Sequence, residues 1–248
     1  MNNQIVLITG ALTGIGRATA VAFAKEGAKL VISGRHEDKG RQLATELLGL
    51  GAEAEFIKAD VRHEEEVKNL VEKTVKRFGR LDIAVNNAGT EGKPGPIVEQ
   101  TAESYAATFD TNVLGVLLSL KHEMRVMLTQ KAGSIINVSS TLGHRSAPGA
   151  SLYAASKHAV EGLTQAAALE GASFGIRVNS VSPGPTDTGM LTRFTGTPEK
   201  KAVLISGVPL NRMGTPEELA EAILFIASPK ASFITGTSLL VDGGKSAR

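Results

Sequence analysis

Short apolar runs alternate along the chain with longer stretches in which apolar positions recur every three or four residues. The runs are QIVLIT (4–9), AKLVIS (28–33), AEFIKA (54–59), LDIAVN (81–86), SIINVS (134–139), IRVNSVS (176–182) and SLLVDG (238–243). Most are rich in Val, Ile or Leu and apolar on both faces, the pattern of strands covered by helices above and below. Between them, Val67, Leu70, Val71, Val75 and Phe78 share one face of a helix over 64–78. That helix opens on HEEE, acids at its positive end, and closes on KRFGR, bases followed by a stopping glycine. Leu43, Leu47, Leu48 and Leu50 predict one face of a second helix over 37–50. Such alternation predicts βαβ units with right-handed crossovers, hence an α/β fold with a parallel sheet and helices on both faces.

No linker, repeat or low-complexity segment divides the chain, so 1–248 reads as one domain. The unusual region is 184–214, rich in Gly, Thr and Pro, between the sixth strand and a helix opened by TPEEL. A long loop at a strand's carboxyl end is a candidate substrate-binding lid. Composition changes little: 248 residues, 42% hydrophobic and 21% charged, are ordinary globular values. A net charge of +2 offers no clustered basic face for nucleic acid. The absence of cysteine excludes disulfides, thiolate metal sites and a cysteine nucleophile. The five histidines show no metal-ligand spacing. The start MNNQIVLITG runs straight into a strand without signal-peptide character, and no window has the length of a membrane span. A soluble cytoplasmic protein with no membrane partner is expected.

The first strand ends in TGALTGIG (9–16), which opens the first helix. Gly10, Gly14 and Gly16 follow G-x-x-x-G-x-G, a spacing that permits a tight turn, close approach of a pyrophosphate and helix-on-strand packing. The helix N-terminus then faces the phosphates. After the second strand comes SGRHED, where a dinucleotide site reads the adenosine ribose. Gly34 stands there without a carboxylate and Arg35 follows, which fits a 2′-phosphate and so NADP(H). Glu37 or Asp38 bending back would instead read NAD(H). Asp60, in ADV after the third strand, would lie by the adenine, and NNAG (86–89) puts small residues and amides near the cofactor. Turn chemistry alone also favours Asn, Asp and Gly at such places.

With these pieces in order, the sequence resembles the short-chain dehydrogenases/reductases over its whole length. TGALTGIG, NNAG, INVSS, YAASK, RVNSVSPGPTDT and ITGTSLLVDGG carry the resemblance. It implies a Rossmann-type sheet of order 3-2-1-4-5-6-7, nicotinamide hydride transfer and a homotetramer. It implies catalytic roles for Asn112 in DTNVLG, for Ser140, thirteen residues before the tyrosine, and for Tyr153 and Lys157. The cofactor set it implies is Gly10, Thr13, Gly14, Ile15, Gly16, Arg35, Asp60, Val61, Asn87, Ala88, Gly89, Tyr153, Lys157, Pro183, Gly184, Thr186 and Thr188.

The chemistry needs these types. Reduction of a ketone leaves negative charge on the carbonyl oxygen, which must receive a proton. Tyr153 would donate it and take it back in the reverse direction. A free phenol has a pKa of about 10; lowering it by about three units takes about 4 kcal/mol, which a lysine ammonium and the oxidised nicotinamide would supply. The i, i+4 spacing puts Lys157 on the face of Tyr153, where it would also bind ribose hydroxyls. Ser140 would steady the developing charge. Asn112 would hold a water that relays protons from Lys157. Taken singly, Tyr153 reads as core, Lys157 as surface and Ser140 as a strand-end turn; their joint placement favours function.

The substrate pocket is expected from 141–152 and the lid. Leu142, Ala150, Leu152, Met190, Leu191 and Phe194 make it apolar, and His144 either lines it or faces solvent. A hydrophobic ketone or secondary alcohol fits, hence an NADPH-dependent carbonyl reductase. An NAD-dependent alcohol, sugar or steroid dehydrogenase stands beside it. So does a 3-oxoacyl-carrier-protein reductase, although Phe174 occupies the place of that group's carrier-gripping arginine. A silent nucleotide sensor would have no need of the Ser–Tyr–Lys set.

Overall fold

Seven apolar runs become seven strands in the computed structural model, which describes residues 1–247. They are β1 (Ile5–Thr9), β2 (Lys29–Gly34), β3 (Ala54–Lys58), β4 (Ile83–Asn86), β5 (Gly133–Val138), β6 (Ile176–Pro183) and β7 (Ser238–Val241). All pair in parallel in the order β3-β2-β1-β4-β5-β6-β7. Leu7 pairs with Val31 on one side and Ala84 on the other. The order reverses between β1 and β4, and a crevice at such a switch point takes the ligand in open α/β sheets.

Strand side chains alternate between two cores, as a period of two requires. Val6 and Ile8 join Phe23, Leu43, Leu47 and Ile223 on one face. Leu7 joins Leu70, Met127, Ile135 and Val160 on the other. The first layer comes from α1 (Gly14–Lys25), α2 (Glu37–Gly49) and α9 (Pro216–Ala227). The second comes from α3 (Glu64–Phe78), α5 (Gly115–Gln130) and α6 (Ser151–Gly171). α4 (Ala102–Phe109) leads to α5 through one wide π-turn, Asp110–Leu114.

α3 has the predicted bounds, with Glu64, Glu65 and Glu66 in its first turn and Gly79 ending it at φ 83°. α2 departs from expectation. Leu43 and Leu47 are buried, but Leu48 and Leu50 are exposed. Leu48 is rotated off the i, i+4 stripe, and Leu50 is the C-cap. The segment 184–214 holds two helices rather than an open loop, α7 (Gly189–Thr195) and α8 (Pro198–Ser206). Thr188 and Thr197 cap them by accepting from the amides of Leu191 and Lys200. TPEEL forms a capping box between Thr215 and Glu218. α6 leaves Ala155, His158, Gly162, Ala166 and Leu169 exposed along one stripe. Among the described residues, no helix is long and apolar enough to cross a membrane.

Candidate active site

The glycine turn is held from behind by β4. Asn87 Nδ2 donates to Gly10 O at 2.8 Å. Gly10 needs its freedom twice: its φ is 62°, and a Cβ would lie 2.6 Å from Ala88 Cα. A Cβ on Gly16 would stand 2.4 Å from Gly10 O. α1 then begins at Thr13 with no side-chain cap and no acid in its first turn. Those amides are free for an anion, so the turn fits a dinucleotide pyrophosphate. Gly14 and Ile15 form the first turn and stay partly open. Thr188, at the start of α7, faces Gly14 across this opening, with Cγ2 3.2 Å from where a Cβ would sit.

At the end of β2, Leu12 packs over Gly34 so closely that a Cβ there would meet its Cδ1 at 2.7 Å. Arg35 is exposed and has no ion-pair partner among the described residues. Its charge reaches Asp60, whose carboxyl is held low mainly by its fork with Arg62. Glu37 does not bend back to the ribose position. Its carboxylate is taken by Arg41 one turn along, at 2.5 Å. Val61 is buried, packed with Val67, Leu118 and Ala88.

β5 ends beside the start of α6. Ser139 N–H donates to Val181 O at 2.8 Å, which continues the ladder, so Ser140 is the first residue to leave it. Ser140 Oγ accepts from the amide of Leu142 at 3.1 Å and caps the short turn Thr141–Gly143. Lys157 is buried, and its Nζ donates to Val138 O at 2.9 Å. That nitrogen lies 5.7 Å from the Tyr153 ring centroid. Gly89 closes the group: a Cβ there would lie 3.3 Å from Asn112 Oδ1 and 3.7 Å from Lys157 Nζ.

Burial acts on Tyr153 and Lys157 in opposite directions. Burial pushes the Tyr153 phenol up to about 12, opposed by a hydrogen bond from Ser140 and reinforced by the Glu91 charge. Lys157 does not pull it down, because its ammonium is turned onto a carbonyl and its own burial lowers it to about 8, against Glu161.

Asn112 makes three side-chain hydrogen bonds: Oδ1 accepts from Thr90 N at 2.8 Å, and Nδ2 donates to Thr90 O at 2.9 Å and Ser156 Oγ at 3.0 Å. Ser156 in turn donates to Tyr153 O at 2.7 Å. The amide therefore braces the loop after β4 against α6.

His144 belongs to another cluster. Its Nε2 lies 2.9 Å from Ser238 Oγ and 3.4 Å from Glu161 Oε1. Glu161, one turn beyond Lys157, also accepts from Ser180 at 2.7 Å and Ser182 at 2.9 Å. Of the expected pocket residues, Phe194 meets the Tyr153 ring at 6.4 Å between centroids. Leu142, Leu152, Met190 and Leu191 are half-buried, while Ala150 is buried at the N-cap of α6. Pro183 ends β6, Gly184 makes room for Asp242, and Thr186 is buried with its hydroxyl on Gly184 O. Sequence reasoning missed Thr90, Ser156, Glu161 and the pair Glu91–Arg193. Ser156 lay inside YAASK and Glu91 directly after NNAG-Thr, but their partners are distant in the chain.

Residues 10–246 match the family described as enoyl-(acyl carrier protein) reductase. The A-factor type γ-butyrolactone 1′-reductase (1S-forming) of Streptomyces virginiae is 42% identical over 246 residues, covering 98% of this chain and 96% of that protein. The crystal structure of levodione reductase superposes with a TM-score of 0.96 at 36% identity, covering 100% of this chain and 99% of that one. An actinorhodin polyketide ketoreductase variant with NADPH gives 0.95 at 34% identity, with 100% of both chains covered. NAD⁺-bound xylitol dehydrogenase gives 0.95 at 32%, covering 98% of this chain and 99% of that one.

Proposed function

This chain belongs to the short-chain dehydrogenase/reductase family, oxidoreductases of alcohol and keto groups, and from that membership we propose an NADPH-dependent reductase of hydrophobic ketones with Tyr153 as proton donor. The observation that carries the proposal is the meeting of Ser140, Tyr153 and buried Lys157 at the ends of β5 and α6, beside the segment after β4 that holds the glycine turn. A nicotinamide bound there supplies the hydride. Tyr153 supplies the proton: a phenol held up at about 12 keeps it until a carbonyl oxygen gains charge. Ser140 supports the same oxygen by hydrogen bonding. Lys157, lowered to about 8, has a proton to return to the phenolate at neutral pH. Asn112 acts by bracing α6 through Ser156. The segment 184–214 serves as the lid, with Met190, Leu191 and Phe194 turned to an apolar substrate.

Three observations favour NADPH over NADH: Arg35 is unpaired, Gly34 lies under Leu12, and Glu37 is tied to Arg41. Levodione reductase and the A-factor type reductase are both named as reductases, which supports the reductive direction of the reading. The test is reduction of cyclohexanone with either cofactor, followed by nicotinamide absorbance, in wild type and Arg35→Asp. The wild type is expected to prefer NADPH, and Arg35→Asp to weaken NADPH binding by about ten- to a hundredfold. Unchanged NADPH affinity in the variant would sink the cofactor assignment.

A further inference from the structure

Beyond the residues that touch the reacting atoms, an ion pair crosses the site. Glu91 follows β4 and is nine-tenths buried. Arg193 lies in the last turn of α7. Its Nε donates to Glu91 Oε1 at 2.5 Å and its Nη2 to Oε2 at 3.1 Å, a two-pronged fork. Each end is tied to the candidate catalytic helix. Thr90, the neighbour of Glu91, is bonded through Asn112 and Ser156 to the backbone of Tyr153. Phe194, the neighbour of Arg193, meets the Tyr153 ring.

Little else anchors α7. Thr195 is its one buried residue, and α8 has none. Apolar burial on these helices is therefore small, and among the described residues the fork is the one ion pair that ties α7 to a residue outside 184–214. Glu91 has no other cation within ion-pair distance among the described residues. Its charge is also felt at Tyr153.

We propose that Glu91 and Arg193 form a clasp that seats α7 over Tyr153 and selects neutral ketones over ketones that carry a carboxylate. The pair positions and selects; neither residue exchanges a proton with substrate. Paired, the two charges cancel at the rim of the pocket. A substrate carboxylate then finds Arg193 already occupied and gains no cation to offset its desolvation. Removing either member opens α7, but the charge left behind differs in sign. Glu91→Gln leaves a free guanidinium beside the pocket. Arg193→Met leaves a buried carboxylate without its partner, the costlier state.

The selectivity half of the inference rests on the ketone-reductase reading, so its test has two arms. In the first, kcat/KM is measured for cyclohexanone and for 4-oxocyclohexane-1-carboxylate, two substrates that differ by one charge. Glu91→Gln is expected to raise the ratio of acid to neutral ketone by about tenfold, and Arg193→Met to lower it. Both raise KM for cyclohexanone more than they lower kcat, and Arg193→Lys restores part of the loss. A ratio that stays fixed, or moves the same way in both variants, overturns the selectivity. The second arm needs no turnover. Amide hydrogen exchange in 189–195 is expected to speed up in both single variants, most in Arg193→Met, and to slow again when Glu91→Gln is added to it. Equal exchange in wild type and Arg193→Met overturns the clasp. A wild type that reduces neither ketone fails the ketone reading and the selectivity with it, and the exchange arm still decides the clasp.

Discussion

Burial moves Tyr153 up to about 12, Lys157 down to about 8 and Glu123 up to about 7. Tyr153 and Lys157 belong to the candidate active site, whereas Glu123 lies on α5 among buried residues. It accepts from Asn86 at 3.0 Å, and Asn86 continues through Asn137 to Thr164. Among the described residues no cation pairs with Glu123, so desolvation favours its protonated form. Between pH 4.5 and 7 the folded chain thus binds a proton that the unfolded chain has released. Stability falls through that window and stays lower above it, by up to about 3 kcal/mol. Glu123→Gln keeps an acceptor for Asn86 and removes the charge. It is expected to raise the urea midpoint at pH 8 and to change it little at pH 4.5. An equal change at both values would show that no such proton is held. Tyr153, Lys157 and Ser140 were picked out through the family resemblance, by YAASK and the thirteen-residue interval back to Ser140; taken singly they read as core, surface and turn. Glu123 and Glu161 were not picked out. A lone acid in an apolar helix reads as a solvated position until strands far away supply Asn86, Ser180 and Ser182.

Arg177 on β6 shows how one side chain joins elements. Its Nη1 donates to Ile226 O at 2.9 Å and Ile234 O at 3.2 Å. Its Nη2 donates to Ala227 O at 2.9 Å, Ser228 O at 3.2 Å and Ser134 Oγ at 3.1 Å. The guanidinium thus caps the carboxyl end of α9, where orphan carbonyls and the helix dipole favour a cation. Arg177→Met leaves those carbonyls unpaired and is expected to cost about 2–4 kcal/mol, a melting point lower by about 5–10 °C. Thermal denaturation checks this; a melting point within about 1 °C of wild type would mean that water takes over the cap. The strands and the bounds of α3 were readable from the apolar period and the charges at its ends. α7 and α8 were hidden because their caps, Thr188 and Thr197, lie among Gly and Pro and almost nothing on either helix is buried. Periodicity detects a helix by the face it buries, so a helix that rests on an ion pair gives little signal.

Across the whole molecule, the sheet brings together stretches distant in the chain, 77 residues apart between Gly10 and Asn87 and 102 between Glu91 and Arg193. The glycine turn after β1 is bonded to Asn87 after β4. Gly89 beyond it stands against Lys157 on α6, and Glu91 clasps α7. The strand order that does this was expected only from the resemblance; the residues alone indicated parallel βαβ units. In the proposed function the arrangement keeps two tasks on separate elements: β1, β2 and α1 offer groups for the cofactor, and α6 and the end of β5 offer the proton donor and its partner Ser140. One substitution separates them most directly. Tyr153→Phe removes only the phenolic oxygen and leaves the ring against Phe194. Measured side by side, NADPH affinity by fluorescence titration is expected to stay within about twofold of wild type, while kcat for cyclohexanone falls by at least about a hundredfold. Retention of most of the activity with the oxygen gone would contradict Tyr153 as the proton donor.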